Sequence, residues 1–322
     1  MLGKKIGRRG MLLGALAQSI PDIDFVAALW NRPAANLLAH RGFTHSILFG
    51  LLMVVLFSLV AERLHRPHKV GYRRWTLFFS VEIAIHLFLD LFNNYGMGLF
   101  EPFSHARISF NTIYVADPFF SIWPAIAFAM LVILPKKHKK RTFWWRFGLA
   151  GSLLYFSYCV TNKLLIDSDT RAYLKEHGLG TDKYFTTPTP LNNLLWFIVA
   201  SDSAGFRVGY RSVFDEDQNI DFTYFPKNDH LLDDLRSEPD VQMLLRFSHG
   251  FYTVEKWHDT LVFNDLRFGQ VVGWQNPLGH FAFHFYLNKP DNKLVVQRGR
   301  FEGWNSGSAK LLLQRIRGKK TH

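Results

Sequence analysis

A chain of 322 residues has room for two structural units, and this one is 48% hydrophobic and 16% aromatic with a formal net charge of +12. Its single cysteine, Cys159, excludes an intramolecular disulfide framework and a cysteine-based metal site. The charge is lopsided: residues 1–165 hold 19 Lys and Arg against 7 Asp and Glu, whereas residues 166–322 hold 19 against 19. The whole surplus lies in the half that carries the apolar runs, which suits topology signals at a bilayer and not a basic face for nucleic acid.

In chain order, the N-terminal MLGKKIGRRGMLLGALAQSIPDID is basic and then briefly apolar. It is not a signal peptide: no small-residue cleavage pattern follows the short apolar stretch, and acidic residues arrive at once. Residues 10–30 read as a half-inserted helix. Four apolar runs then approach the ~20 residues that a span needs: Ser46–Ala61, Trp75–Phe92, Val115–Leu134 with Pro118 and Pro124, and Phe143–Ile166. Three basic clusters separate them: Lys4, Lys5, Arg8 and Arg9; Arg63, Arg66, Lys69, Arg73 and Arg74; Lys136, Lys137, Lys139, Lys140 and Arg141. Together they hold 14 of the 19 basic residues of this half. If residues 10–30 reach across, all three fall on one side, which the positive-inside rule makes cytoplasmic.

Beyond residue 166 the pattern changes. Leu194–Val213, Phe251–Phe263 and His280–Leu287 alternate or run apolar and are rich in aromatic and β-branched residues, with turn chemistry such as FDEDQNID and NKPDNK between them. The expected architecture is an α-helical membrane bundle over residues 1–166, with about four spanning helices and a short N-terminal helix. A β-rich extramembrane domain follows over 167–322, on the non-cytoplasmic side.

Three segments carry chemistry, and the topology gathers them toward the outer face. Pro21-Asp22-Ile23-Asp24 offers two carboxylates that could flank a cation, although an Asp pair after Pro is more often a helix cap or turn. His40-Arg41-Gly42-Phe43-Thr44-His45-Ser46 offers two imidazoles five residues apart, leading into the first full span. Glu82, His86 and Asp90 sit four residues apart in the second run, and each step of four turns a helix by only about 40°, so they share a face. Ionisable groups in a span cost on the order of 2.5–3.5 kcal/mol each unless paired or coordinated. His and carboxylate groups converging on one side of a small bundle are the donor set of a divalent metal site, zinc being the expected ion. A hydrogen-bonded polar cluster that only packs helices is the plainer alternative.

PDID, HRGFTHS and HLFLD inside an apolar helix resemble the YdjM-type family of inner-membrane metal-dependent hydrolases, over roughly residues 3–165. That family is thought to be distantly similar to zinc-dependent phospholipase C and P1 nuclease. The resemblance implies metal ligation by Asp22, Asp24, His40, His45, His86 and Asp90. Family members usually begin with a further helix carrying a His and a Glu ahead of a GKK-like segment. This sequence starts at Met1-Leu2-Gly3-Lys4-Lys5, which points to a start assigned too far downstream or to a shortened form.

The expected function is a membrane-bound, metal-dependent hydrolase of an ester or phosphoester, with a lipid as the favoured substrate. Asp22 or Asp24 could serve as the base, and Arg41 and Arg107 could stabilise an oxyanion or hold a phosphate. Two rivals stand beside it: an ion or proton conduit through Glu82, His86 and Asp90, and a non-catalytic envelope protein whose β-rich domain binds a partner. No Gly-rich phosphate loop or nucleophile elbow is present. The expected surroundings are a lipid bilayer, that of the bacterial inner membrane, with no nucleic acid partner.

Overall fold

The structure is a computed structural model that describes residues 7–65, 70–179, 183–287 and 303–320. Lys4, Lys5, Arg66 and Lys69 of the basic clusters, and the NKPDNK turn, lie outside the described residues. The chain divides into two compact units: residues 1–32, 36–110 and 120–155 form one, and 33–35, 111–119 and 156–322 the other.

The first unit is helical. Helix α1 (Arg8–Ser19) is followed by a 3-10 segment, Pro21–Leu29, bent from it by 55°. Pro21 explains the break, because its missing N–H and its ring cannot continue the helix ladder. Helix α2 covers Pro33–Ala39, and a single 3-10 turn, Phe43–His45, leads into α3 (Ile47–Leu64). Ser46 caps α3 by accepting a hydrogen bond from the Phe49 N–H at 3.1 Å. Helices α4 (Tyr72–Asp90), α5 (Pro118–Ile133) and α6 (Arg141–Glu176) follow, and the boundary between the units falls inside α6.

The core of this unit is a stripe of α4, in which Trp75, Phe79, Ile83 and Leu87 recur every four residues and meet Val54 and Ala61 of α3 and Ala17 of α1. The opposite face of α3 is apolar and bare: Leu51, Leu52 and Leu59 are each more than half exposed. A helix apolar all round but packed on one side belongs in lipid.

Two described helices, α3 and α6, are long and apolar enough to cross a membrane, or three if the bent pair α1 and Pro21–Leu29 forms one broken span. The sequence suggests about four. The difference has two sources. Helix α4 carries Arg73, Arg74, Glu82, His86 and Asp90 and falls short on composition, while α5 has 16 residues, about 24 Å against a hydrocarbon core of about 30 Å.

The C-terminal domain is rich in β-sheet. Strands β1 (Tyr184–Pro188), β2 (Leu195–Ser201), β3 (Gly205–Ser212) and β4 (Thr223–Pro226) make an antiparallel sheet in sequence order. A second antiparallel sheet joins β5 (Tyr252–Trp257), β6 (Thr260–Asp265) and β7 (His284–Tyr286). Helices α7 (Pro239–Phe247) and α8 (Ser306–Ile316) accompany the sheets among the described residues. Strand β2, LWFIVAS, is buried on both faces, and the two-residue period divides its side chains. Phe197 and Val199 pack with Phe206 and Leu266, while Trp196 and Ile198 pack with Ile166 and Ile220.

Candidate metal centre

Each of the three segments singled out in the sequence contributes to one cluster in the helical unit. Asp22 and Asp24 lie in the first turn of the 3-10 segment after α1, where the proline has just broken the helix. His45 ends the 3-10 turn ahead of α3 and is fully buried. His86 and Asp90 lie one turn apart at the C-terminal end of α4.

Four donor atoms, one each from Asp22, His45, His86 and Asp90, lie within 4.8 Å of one another. His45 Nε2 is 3.2 Å from Asp90 Oδ2, 3.5 Å from Asp22 Oδ1 and 3.4 Å from His86 Nε2. His86 Nε2 is 3.7 Å from Asp22 Oδ1 and 3.6 Å from Asp90 Oδ2. An ion held tetrahedrally by bonds of about 2.0–2.1 Å separates its ligand atoms by about 3.3 Å, so these edges have the right size. The donor set, two imidazoles and two carboxylates, also suits a divalent ion. Burial alone would push His45 below an imidazole's ordinary value, but the carboxylates of Asp22 and Asp90 outweigh it and hold the group above that value.

Asp24 and His40 stand behind this group and are not among its four residues. Asp24 is buried; its Oδ2 lies 3.4 Å from His45 Nδ1 and accepts the Arg41 backbone N–H at 2.6 Å, and its Oδ1 lies 3.2 Å from His40 Nδ1. It therefore touches the ring nitrogen of His45 that faces away from the cluster. A carboxylate there fixes the tautomer and orientation of a metal-ligating histidine.

Arg41 adopts a positive φ of 55°, and its carbonyl accepts the Gly98 N–H at 2.8 Å. Its guanidinium Nε comes within 3.2 Å of Asp90 Oδ2. Gly42 is required beside it, since a Cβ there would meet the carbonyl oxygens of Leu38 at 2.9 Å and Ala39 at 3.0 Å. Arg107 acts as a brace: its guanidinium donates to the carbonyls of Leu38, His40 and Gly96 at 3.0, 2.8 and 2.8 Å. Tyr95, which sequence reasoning passed over, lies edge-on to His40 at 4.8 Å and hydrogen-bonds the Leu37 carbonyl. It follows an Asn-Asn pair in a loop and gives no periodic signal. Glu82 shares the α4 face but not the site; its carboxylate is bonded by Gln18 and lies against Gly14 of α1.

The model of the YdjM inner membrane protein family matches residues 1–165, which is half of the chain and includes every residue of this cluster. The chain belongs to the YdjM inner membrane protein family. Family and apolar helices together support an inner-membrane protein of bacterial type. Two curated proteins are similar to the helical half. YfhP of Bacillus subtilis (strain 168), described as uncharacterized, is 33% identical over 138 residues, covering 38% of this chain and 41% of that protein. Inner membrane protein YbcI of Escherichia coli (strain K12) is 30% identical over 131 residues, covering 40% of this chain and 68% of YbcI. The chain thus spans about two fifths of the length of YfhP and two thirds of that of YbcI. No solved structure matches.

Proposed function

We propose that the chain is a membrane-bound hydrolase that uses a divalent metal, zinc in the first instance, to cleave an ester or phosphoester of an amphiphilic substrate. The observation that carries this reading is the convergence of Asp22, His45, His86 and Asp90 on one point, with edges of 3.2–3.7 Å around the two imidazole nitrogens.

The chemistry a divalent ion supplies in such a site is polarisation of an ester or phosphoester oxygen and acidification of a water. His45, His86, Asp90 and Oδ1 of Asp22 would hold the ion, with Asp24 orienting His45 from behind. Asp22 differs from Asp90 in its access: its side chain is 53% exposed against 15%. That leaves the second oxygen of Asp22 open to receive a proton from an incoming water, whereas the oxygens of Asp24 are taken by His40, Arg41 and His45.

The amphiphilic substrate is favoured by the loop that borders the site. The carbonyl of Leu99 accepts the N–H of Ile47, the first residue of the candidate span α3, so the loop lies level with the end of that helix. From it project Phe100, 48% exposed, and Phe103, 84% exposed. Bare aromatic side chains at the end of a span suit the boundary between headgroups and acyl chains. The conduit reading loses its first relay group, since Glu82 is engaged by Gln18.

Elemental analysis of the full chain in mild detergent tests the proposal. One equivalent of metal is expected in the parent and less than about a tenth of that in His45→Ala and His86→Ala, in line with the loss that follows removal of a ligand from a four-donor site. A parent protein without metal after reconstitution with zinc, manganese or cobalt would overturn it.

A further inference from the structure

Two arginines flank the ring of Tyr95, each with its guanidinium carbon 5.6 Å from the ring centroid, and they are treated differently. Arg107 donates from Nη1 and Nη2 to three backbone carbonyls. The side chain of Arg41 is only 8% exposed, yet its Nε and Nη1 are buried without a hydrogen bond. The carboxylate oxygen nearest to it, Asp90 Oδ2, lies 3.2 Å from Arg41 Nε but is not aligned to accept from it, and it lies equally close to His45 Nε2. Buried donors almost always have acceptors, so two guanidinium nitrogens left without a hydrogen bond mark a place where another acceptor binds.

The two groups ask for opposite things. Asp90 is a ligand of the metal centre proposed above, which accounts for its oxygen. Asp90 balances the charge of Arg41 at 3.2 Å, but Nε and Nη1 still lack an aligned acceptor, and an anion with its oxygens in their plane would supply one. An arginine carries its charge at every physiological pH, so it stabilises a ligand that is already negative when it arrives. A neutral ester brings no such charge before it reacts, whereas a phosphoester does. The number of oxygens narrows the class further. A terminal phosphoryl group has a third oxygen, so two can accept from the guanidinium nitrogens while another reaches an ion, whereas a carboxylate would have to use the same two oxygens for both.

Backbone geometry holds the group ready. Arg41 is pinned by its N–H to Asp24 at 2.6 Å and by its carbonyl to Gly98 at 2.8 Å, so the metal-orienting residue and the bordering loop both fix it. We infer that Arg41 is the binding group for a phosphoryl anion beside the Asp22, His45, His86 and Asp90 cluster, so that the substrate class is the phosphoester and not the neutral ester. The inference rests on the metal-centre reading for its geometry, though not for its test.

The test is a calorimetric titration of the full chain in detergent with inorganic phosphate, with acetate and trimethyl phosphate as controls and metal content measured on every sample. The parent should bind phosphate in preference to both controls. Arg41→Gln should weaken phosphate about tenfold or more, the usual effect of losing hydrogen bonds to a charged group, while its metal content stays at the parent level. Unchanged phosphate affinity in a folded Arg41→Gln protein overturns the inference. So does loss of metal together with phosphate, which would make Arg41 a support for the ligands alone. If Arg41→Gln does not fold, thermal stabilisation of the parent decides: a rise in Tm with phosphate only supports the site, and the same response to all three compounds overturns it.

Two sources of the phosphoryl group are separated by a further arm with phosphatidic acid in mixed micelles. A lipid that binds more tightly than inorganic phosphate, and loses that advantage in Phe100→Ser/Phe103→Ser, supports a lipid phosphoester. Equal affinities support a soluble one. Should the parent hold no metal, the hydrolase reading fails by itself, and Arg41 is judged by the same titration on the metal-free chain.

Discussion

The helical unit and the β-rich domain bury arginines to the same degree and complete them differently. Arg211, Arg267 and Arg315 of the β-rich domain are 5–6% exposed, and each meets a carboxylate through hydrogen bonds as short as 2.6–2.7 Å: Asp169, Asp265 and Asp215 respectively. Arg41 is also 6% exposed, and two of its nitrogens have no hydrogen bond. Around it three carboxylates and three histidines crowd together at 3.2–3.7 Å, close enough for ion pairing, while Nε and Nη1 of Arg41 have no aligned acceptor. Completed pairs are architecture, since their charges are hydrogen-bonded inside the fold. An incomplete cluster of the same residue types has kept its bonding capacity for a ligand, at some expense in stability.

The largest effect that tests this contrast is expected in the β-rich domain. Asp265 is fully buried, binds Arg267 through both carboxylate oxygens and caps the following 3-10 turn by accepting the Arg267 N–H at 3.0 Å. Asp265→Ala strands a charge that also lies 4.6 Å over the Phe247 ring. It should cost about 3–5 kcal/mol and lower the Tm by on the order of 10 °C in a thermal melt. A small loss would mean that completed pairs are not what holds this domain.

The second effect belongs to the helical unit. Because a ligand that binds only the folded chain stabilises it, metal at about one hundred times its Kd should add about 2.7 kcal/mol, read as a rise in Tm. The same addition to His86→Ala should do nothing. A rise that survives that substitution would place the metal elsewhere.

Smaller still, and the sharpest contrast with Asp265, is Asp90→Asn. In metal-free protein it removes the attraction of Asp90 to Arg41 and His45, each at 3.2 Å, and also the repulsion and burial cost of one of three carboxylates crowded around His45, so that loss and gain offset. The net change in stability should be within about 1 kcal/mol, while metal binding is abolished. A loss as large as that of Asp265→Ala would reclassify the cluster as architecture.

These differences were partly legible in the residues themselves. The spacing of His86 and Asp90 predicts a shared helix face, and PDID and HRGFTHS mark the other two contributors. What spacing could not separate was Asp22 from Asp24. Two residues apart on a 3-10 turn, they sit on opposite sides of His45, one at Nε2 and the other at Nδ1. Nor could it separate Glu82 from its neighbours on α4, because which part of a shared face meets α1 is a packing outcome. In the second half, the runs Leu194–Val213 and Phe251–Phe263 each resolve into a hairpin, β2 with β3 and β5 with β6. The apolar alternation shows the strands, but the turns at Asp202–Ala204 and His258–Asp259 are too short to interrupt it. Arg41 was legible as a cation near the site; that two of its nitrogens have no aligned acceptor was not, since hydrogen-bond alignment is a property of the folded chain.

The smallest effect concerns pH and the surface of the β-rich domain. Burial pushes the Asp229 carboxyl up, but the hydrogen bond from the Tyr252 hydroxyl, the Arg236 guanidinium at 2.6 Å and Lys227 at 3.7 Å together hold it below the usual carboxylate range. A depressed folded-state value means that its stabilisation is complete above the unfolded value of about 3.9 and is lost as pH falls through the folded one. Since the Asp229 side chain is 40% exposed, solvent and salt screen the pair, and its contribution is about 0.2–1 kcal/mol. Thermal melts of the parent and Asp229→Asn should therefore differ by a degree or so at pH 7 and converge below about pH 4. The difference should also shrink in high salt, as that of a screened surface pair does. The pair at Asp265, fully buried, should keep its difference from Asp265→Ala in the same salt. Equal salt sensitivity at the two positions would show that burial is not what separates the completed pairs of this domain from its surface contacts.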